Sequence, residues 1–312
     1  MRAFVVEERP QRLGFGFSFA FRALVLFHRG SAQFSTLKPD WMETPGPHGR
    51  TLTESWKAAE HAIAAALVFV DEHMAWSRRA LLPSANAVIV LAAAMDRSEG
   101  RPSANDQQAY RRWLCLTALR GVFQGSVETT LNRFHRAVRD AKKDVPRALL
   151  GALKRDEARR IRADELNRFV QPWGAPTQVM HAWLASQSAK DWLNNESIDA
   201  LARAGSRSVT GGELTVHHLF PRKVVARLAE DPDDANCPAN YALLSKSTNS
   251  EFGDKPPEEV LSMLTPDRRK LASVQFFGDA AGDRLKSDRY YEFCQWRADR
   301  LAESINDWLG MD

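Results

Sequence analysis

Two adjacent histidines, His217 and His218, and two later asparagines, Asn240 and Asn249, are the residues whose types and order could carry out a reaction. Imidazole exchanges a proton near neutral pH and is a common metal ligand, so an adjacent pair can divide the roles of general base and ligand. Hydrolysis of a phosphodiester needs such a base for the water. It also needs a divalent cation beside the leaving oxygen and a group that holds the base in the right tautomer.

The segments that carry these residues are predicted to be two short strands and a helix. Leu214–His218 and Ala239–Leu244 mix β-branched, aromatic or aliphatic residues and end at loop-forming residues, which is typical of strands. Ser245 or Ser247 can cap a short helix that carries Asn249 and ends at Gly253. Adjacent residues of a regular strand point to opposite faces, so convergence of the two histidines requires a bulge or a strand end. Pro221 makes a strand end plausible.

These blocks resemble the ββα-metal (HNH) nuclease fold, in the variant found at the C-terminus of GmrSD-type restriction endonucleases. The signature of that family runs HH-I-F-P, then A-N-L-x-L-L, then T-N-x-x-x-G-x-K-P-P. The matching residues are His217, His218, Leu219, Phe220, Pro221, Ala239, Asn240, Tyr241, Leu243, Leu244, Thr248, Asn249, Gly253, Lys255, Pro256 and Pro257. The resemblance is specific because three separated blocks occur in the same order.

The resemblance implies that His217 and Asn249 are metal ligands, that His218 is the general base and that Asn240 orients that base. The implied cation is Mg²⁺ or Mn²⁺, because a site with few protein ligands leaves positions for water and phosphate. Some HNH enzymes carry a further histidine where this chain has Gly253, so a tight zinc site is not expected. The implied activity is endonucleolytic cleavage of DNA to 5′-phosphate and 3′-hydroxyl ends, in restriction of foreign or modified DNA.

Basic residues near the motif and upstream of it are candidates for contacts with DNA phosphates. Arg222, Lys223 and Lys255 are predicted substrate-binding residues, with simple surface charge as the alternative. The stretch Arg133–Arg168 is predicted to be helical and rich in arginine and lysine. It could follow a phosphate backbone or form a solvated face with paired charges.

The tryptophans Trp173, Trp183 and Trp192 are interpreted as packing residues rather than as a stacking platform for bases. A competing functional class is a non-catalytic nucleic-acid-binding or interaction module with a vestigial HNH site. A helical protein without any nucleic-acid role is a third class, and it requires the three motif blocks to be coincidence.

The helical middle of the chain extends the resemblance. Its segments LLPSANAVIVLAA (81–93) and LRGVFQGSVETTL (119–131), with Arg111–Trp113 between them, are similar to the region before the nuclease in the same family. Complete members also carry a ParB-like domain with a D-G-Q-Q-R motif tied to nucleotide hydrolysis. Asn105–Gln108 lacks the glycine of that motif, so NTP dependence is not carried over. A separate N-terminal ParB-like or NTPase partner is implied instead.

Composition limits the possible classes of protein but does not indicate a particular function. The 312 residues suffice for one large core or two ordinary domains, and the formal charge of +4 permits nucleic-acid binding. Three scattered cysteines favour neither disulfides nor a zinc knuckle, and a reducing cytoplasm is the expected compartment. The apolar runs Gly14–Phe27, Ala58–Val70 and Ala87–Met95 do not fit a signal peptide or a membrane span.

The expected fold is mainly α with a small α+β part. Its predicted parts are an unassigned segment over 1–50, a helical domain over 51–203, an HNH-like nuclease over 213–265, and C-terminal helices over 266–312 that pack on the body. Helix starts are predicted at the capping boxes Thr51/Glu54 and Ser103/Asp106. The final helix, Asp288–Leu309, is expected to bury apolar residues that include Tyr291.

Overall fold

The computed structural model describes residues 13–46, 49–98, 102–204, 213–228 and 231–311. The chain divides into two compact units, Met1–Arg159 and Arg160–Asp312. The described parts are mainly helical, with one two-stranded antiparallel sheet. This confirms the prediction of a mainly α chain with a small α+β part.

The first unit is built from helices packed on helices. They are α1 (Phe17–Arg29), α2 (Leu52–Met74), α3 (Ala85–Arg97), α4 (Ala104–Leu119), α5 (Val127–Asp140), α6 (Val145–Gly151) and α7 (Arg155–Ala158). Both predicted capping boxes form. Thr51 Oγ1 accepts from the Glu54 amide at 3.3 Å, and Ser103 Oγ accepts from the Asp106 amide at 3.2 Å. Each pair satisfies amides that the first turn of a helix would otherwise leave without partners.

The basic stretch Arg133–Arg168 is not one continuous helix. Its helices are separated by turns, and α6 begins where Asp144 Oδ1 accepts from the Arg147 amide at 3.0 Å and Pro146 occupies the first turn. Proline has no amide hydrogen and fits only the start of a helix, so it breaks the helix predicted from composition. Within α5, the apolar side chains of Leu131, Phe134 and Val138 are buried.

The second unit surrounds the sheet with helices. Its elements are α8 (Ala163–Leu166), α9 (Ala175–Ser186), α10 (Ile198–Ala204), β1 (Leu214–His218), α11 (Arg222–Val225), β2 (Tyr241–Ser245), α12 (Lys246–Phe252), α13 (Pro257–Met263), α14 (Pro266–Ser273) and α15 (Tyr290–Trp308). Helix α10 packs against β2. The structure therefore groups residues 160–204 with the sheet, whereas the sequence suggested a boundary at 204–212, most of which lies outside the described residues.

The last helix, α15, packs on the second unit through Phe293, Leu301 and Ile305, which are buried. Tyr291 was predicted to join them but is 54% exposed. The preceding residue, Tyr290, is the buried tyrosine. Successive residues of a helix are about 100° apart, so only one of the two adjacent tyrosines can face the core.

Strand β2 is completely buried although the sheet has only two strands. One edge of β2 pairs with β1, and side chains satisfy the other edge. The Gln275 amide bonds both the N–H and the C=O of Leu243 at 2.9 Å, Arg297 donates to the Tyr241 carbonyl, and Asp191 accepts from the Ser245 amide. Buried backbone groups need such partners, so these side chains take the place of a third strand.

The most apolar stretches of the first unit, Ala58–Val70 and Ala87–Met95, lie within α2 and α3, which pack against each other. Among the described residues, no helix combines the length and the apolar character needed to cross a bilayer. Cys115, Cys237 and Cys294 are buried free thiols.

Candidate functional site

His217 and Asn249 lie together although 32 positions separate them in the chain. His217 is the penultimate residue of β1, and Asn249 lies on α12, which packs against that strand. His217 Nδ1 is 2.7 Å from Asn249 Oδ1. The imidazole is only 2% exposed, and its ring lies 5.6 Å from the ring of Phe252. The structure thus brings together the two residues for which the resemblance implies metal binding.

Asp191 fixes the start of α12 and so the position of Asn249. Its Oδ2 accepts from the Ser245 amide at 2.7 Å, and its Oδ1 accepts from the Thr248 hydroxyl at 2.6 Å. Ser245 also caps the helix by accepting from the Thr248 amide at 3.2 Å. A buried carboxylate with several donors holds a turn more tightly than a single cap does. The sequence motif did not identify this role of Asp191.

His218 faces the other side of the sheet. The register is regular, with His217 opposite Ala242 and His218 opposite Tyr241, and it shows no bulge. The ring of His218 packs edge-on against Tyr241 at 5.2 Å. Strand alternation therefore places the two imidazoles on opposite faces of the sheet, with His218 as the last residue of β1.

Asn236 holds the His218 ring. Asn236 Oδ1 lies 2.9 Å from His218 Nε2, and Asn236 Nδ2 donates to Asp233 Oδ1 at 3.1 Å. The carboxylate can only accept, so the amide oxygen of Asn236 must face the histidine. His218 Nε2 therefore carries the proton, and Nδ1 keeps the lone pair that a base requires. Arg222 donates to the same Asp233 oxygen, which extends the chain of contacts to the surface.

The side-chain amide of Asn240 bonds main-chain groups and not the imidazole that it was predicted to orient. Its Oδ1 accepts from the Phe220 amide at 2.8 Å, and its Nδ2 donates to the carbonyls of Phe220 and Ala235 at 2.9 and 3.0 Å. Both amide hydrogens are used, and the residue is fully buried. Asn240 thus pins the loop that follows His218 through the main chain. Asn236 has no signal in the sequence that separates it from an ordinary loop asparagine.

Burial favours the neutral form of both imidazoles. Burial lowers the pKa of His217 to about 4, against a smaller opposing effect of the Asn249 contact. Burial also lowers the pKa of His218, and the charge of Arg222 acts in the same direction, while the Asn236 bond opposes them. A ligand or a general base must be unprotonated, so both shifts suit the predicted roles near pH 7.

The implied cation can be tested against the donor atoms present. At 2.7 Å the contact is a hydrogen bond in which His217 Nδ1–H donates to the amide oxygen of Asn249, because that oxygen can only accept. The two residues would hold a cation only in the other tautomer, with the proton on His217 Nε2. Within the described ranges no group of three or more His, Cys, Asp or Glu side chains is placed to hold a metal ion. With His217 and Asn249 as its two protein ligands, a cation would take its other ligands from water and substrate.

The three residues predicted to contact DNA phosphates lie in two different surroundings. Lys223 and Lys255 line a groove of about 500 Å³ together with Arg227, whereas Arg222 belongs to the contact chain through Asp233. The same groove is lined by the acids Asp254, Glu259 and Asp288. Three basic and three acidic residues leave the groove without net charge. Its pull on a polyanion is therefore weak.

Comparison with models of known protein families gives no match, and comparison with curated proteins gives none either. The resemblance to HNH nucleases consequently depends on the motif residues themselves.

Asn236 and Asn240 are expected to differ sharply when each is replaced by alanine. Asn236→Ala should remove the bias toward the Nε2–H tautomer and lower the pKa of His218, because the lost hydrogen bond raises that pKa. Asn240→Ala should instead lower stability by about 3 kcal/mol, since three buried main-chain groups lose their partner. The measurements are a ¹⁵N NMR titration of the histidine and thermal unfolding. An unchanged His218 tautomer in Asn236→Ala would remove Asn236 from this role.

Proposed function

We propose that this chain is a metal-dependent DNA endonuclease of HNH type, with β1, β2 and α12 as its ββα-metal element. The observation that carries the proposal is the approach of His217 Nδ1 to Asn249 Oδ1 at 2.7 Å. It joins the first and last blocks of the motif. A neutral, oriented His218 at the end of the same strand supplies the second requirement of the chemistry.

His218 is the general base in this proposal. Its Nδ1 takes the proton of a water that attacks the phosphorus in line with the 3′ oxygen. Asn236 Oδ1 remains on Nε2–H and stabilises the imidazolium that forms, and Asp233 holds the Asn236 amide in place. The products carry 5′-phosphate and 3′-hydroxyl ends.

His217 and Asn249 would hold the divalent cation, Mg²⁺ or Mn²⁺, which supplies charge stabilisation for the leaving oxygen. The neutral imidazole of His217 and the anchoring of α12 by Asp191 place these two side chains together, and the cation would replace the hydrogen between His217 Nδ1 and Asn249 Oδ1. Asn240 fixes the loop after His218 through its hydrogen bonds to the main chain of Phe220 and Ala235. Restriction of foreign or modified DNA, with a separate ParB-like or NTPase partner, is the role that accompanies the resemblance.

A second candidate function is a non-catalytic nucleic-acid-binding module. The observation that favours it is the sparse donor set, one imidazole and one amide, at the position where metal binding is proposed. Such a module would bind DNA with an affinity that falls with salt, and it would show no turnover in the presence of any cation.

Incubation of supercoiled plasmid with the purified protein separates these functions. Nicking or linearisation is expected with Mg²⁺ or Mn²⁺, and none is expected with EDTA, because the cation completes the site. The new ends should be rejoined by DNA ligase, which requires 5′-phosphate and 3′-hydroxyl groups. Cleavage that persists in EDTA would refute the metal-dependent mechanism. Retained DNA binding with no cleavage under any cation would favour the non-catalytic module.

A further inference from the structure

A basic groove on the first unit lies along one face of α5. Its volume is about 480 Å³, and it is lined by Thr129, Asn132, Arg133, Arg136 and Arg139 together with the turn after α1. These positions recur every three or four residues, whereas Leu131, Phe134 and Val138 of the same helix are buried. The helix thus fixes the direction in which the arginines project.

The groove contains no acidic lining residue among those described. Two acids outside the lining pair with its arginines: Glu157 accepts from Arg133 at 3.2 Å, and Asp140 accepts from Arg139 at 2.8 Å. Arg139 also lines a neighbouring cavity together with Asp96. The Asp140 pair is exposed on both sides, and such a pair contributes little to stability and is easily exchanged. Arg133 is the more fixed of the arginines, because its guanidinium also lies 4.6 Å above the ring of Phe134.

The spacing of the arginines fits a chain of charges better than a single anion. From Arg133 to Arg139 the helix rises by about 9 Å, so the three guanidinium groups are spread along the groove. Duplex DNA presents closely spaced phosphates along each strand and gains affinity from each cation that displaces a counterion. The groove beside the candidate site lacks this property, since its basic and acidic residues balance.

We propose that the α5 groove binds the phosphodiester backbone of DNA and supplies much of the sequence-independent affinity of this chain. The inference rests on the proposed function for its choice of DNA as the polyanion. It assigns the affinity to the first unit and leaves bond cleavage to the second. Arg136 and Arg139 are then phosphate contacts, with Arg133 held in place beside them by Glu157.

The test is a double variant, Arg136→Gln with Arg139→Gln, in the full chain. The matched control is Lys142→Gln with Lys143→Gln, which removes the same charge from exposed residues just beyond α5 and outside the groove lining. Binding is measured by fluorescence anisotropy with a labelled DNA duplex in EDTA over a series of salt concentrations. The groove variant should bind about ten-fold more weakly or worse at low salt, and its salt slope should fall by about 1 to 2.

Equal losses in the groove variant and the control would overturn the proposal, because net charge alone would then explain binding. No loss in the groove variant would overturn it as well. A saturable calorimetric signal with inorganic phosphate that the groove variant abolishes would assign the groove to a small anion instead.

Plasmid cleavage by the wild-type protein keeps the two proposals apart. Groove-dependent DNA binding without any cleavage would leave this inference standing and refute the nuclease. Cleavage by the wild-type protein, with DNA binding that the groove variant does not weaken, would refute this inference and leave the nuclease standing.

Discussion

His218→Ala is expected to lower the rate of plasmid cleavage by about 10²- to 10⁴-fold, the usual contribution of a positioned general base. The imidazole has one nitrogen committed to Asn236 and the other available as a base. Alanine removes the proton acceptor without touching the residues that would hold the cation. The measurement is the single-turnover rate at saturating Mg²⁺ or Mn²⁺.

The control is His61→Ala, an exposed histidine of α2 that should leave the rate unchanged. DNA binding and melting temperature should be the same in the His218 variant and the wild type, because His218 is only half-buried and bonds a single side chain. A rate within a few-fold of wild type would exclude His218 as the base. A marked fall in the melting temperature of the His218 variant would mean that the residue supports the fold and that the loss of rate follows from unfolding.

The elements near the candidate site follow largely from local sequence. The exception is β2, which spans Tyr241–Ser245 and not the predicted Ala239–Leu244, because Pro238–Asn240 form a 3₁₀ turn. Strand β1 occupies the predicted Leu214–His218. Ser245, one of the two predicted caps, is the N-cap of α12, and Gly253 ends that helix with a φ of +52°. That φ favours glycine, which explains the residue type at this position. Caps, turns and alternation act over a few residues, so a single sequence contains the information for them.

The partners of these elements do not follow from local sequence. The buried edge of β2 is completed by three side chains that are distant in sequence. Gln275 lies 32 residues from Leu243, which it bonds twice. Arg297 lies 56 residues from Tyr241, and Asp191 lies 54 residues from Ser245. Nothing in their local pattern distinguishes them from surface polar residues. Asn240 and Asn236 illustrate the same limit within the site. The motif selects the first, and only the tertiary arrangement shows that the second bonds the imidazole.

Arg297 bonds several main-chain carbonyl groups around the candidate site. It is fully buried on α15 and donates to four carbonyl oxygens, those of Gln275, Pro238, Ala239 and Tyr241, at 2.7 to 3.2 Å. Burial lowers its pKa to about 10, so the guanidinium stays charged at neutral pH. Its contacts hold the loop before β2 and the first residue of that strand.

Arg297→Met is accordingly expected to lower the free energy of unfolding by about 3 to 5 kcal/mol, because four buried carbonyls lose a charge-assisted donor and no water can replace it in the core. Methionine keeps much of the apolar stem, so the loss reports the hydrogen bonds more than the volume. The matched control is Arg300→Met on the same helix, whose side chain is 55% exposed and pairs with the exposed Glu303. Its melting temperature should stay near that of the wild type. Thermal and urea unfolding of both variants measure the effect. If Arg297→Met unfolded within about 1 kcal/mol of the control, the loop before β2 would be held by Asn240 and apolar packing rather than by the guanidinium.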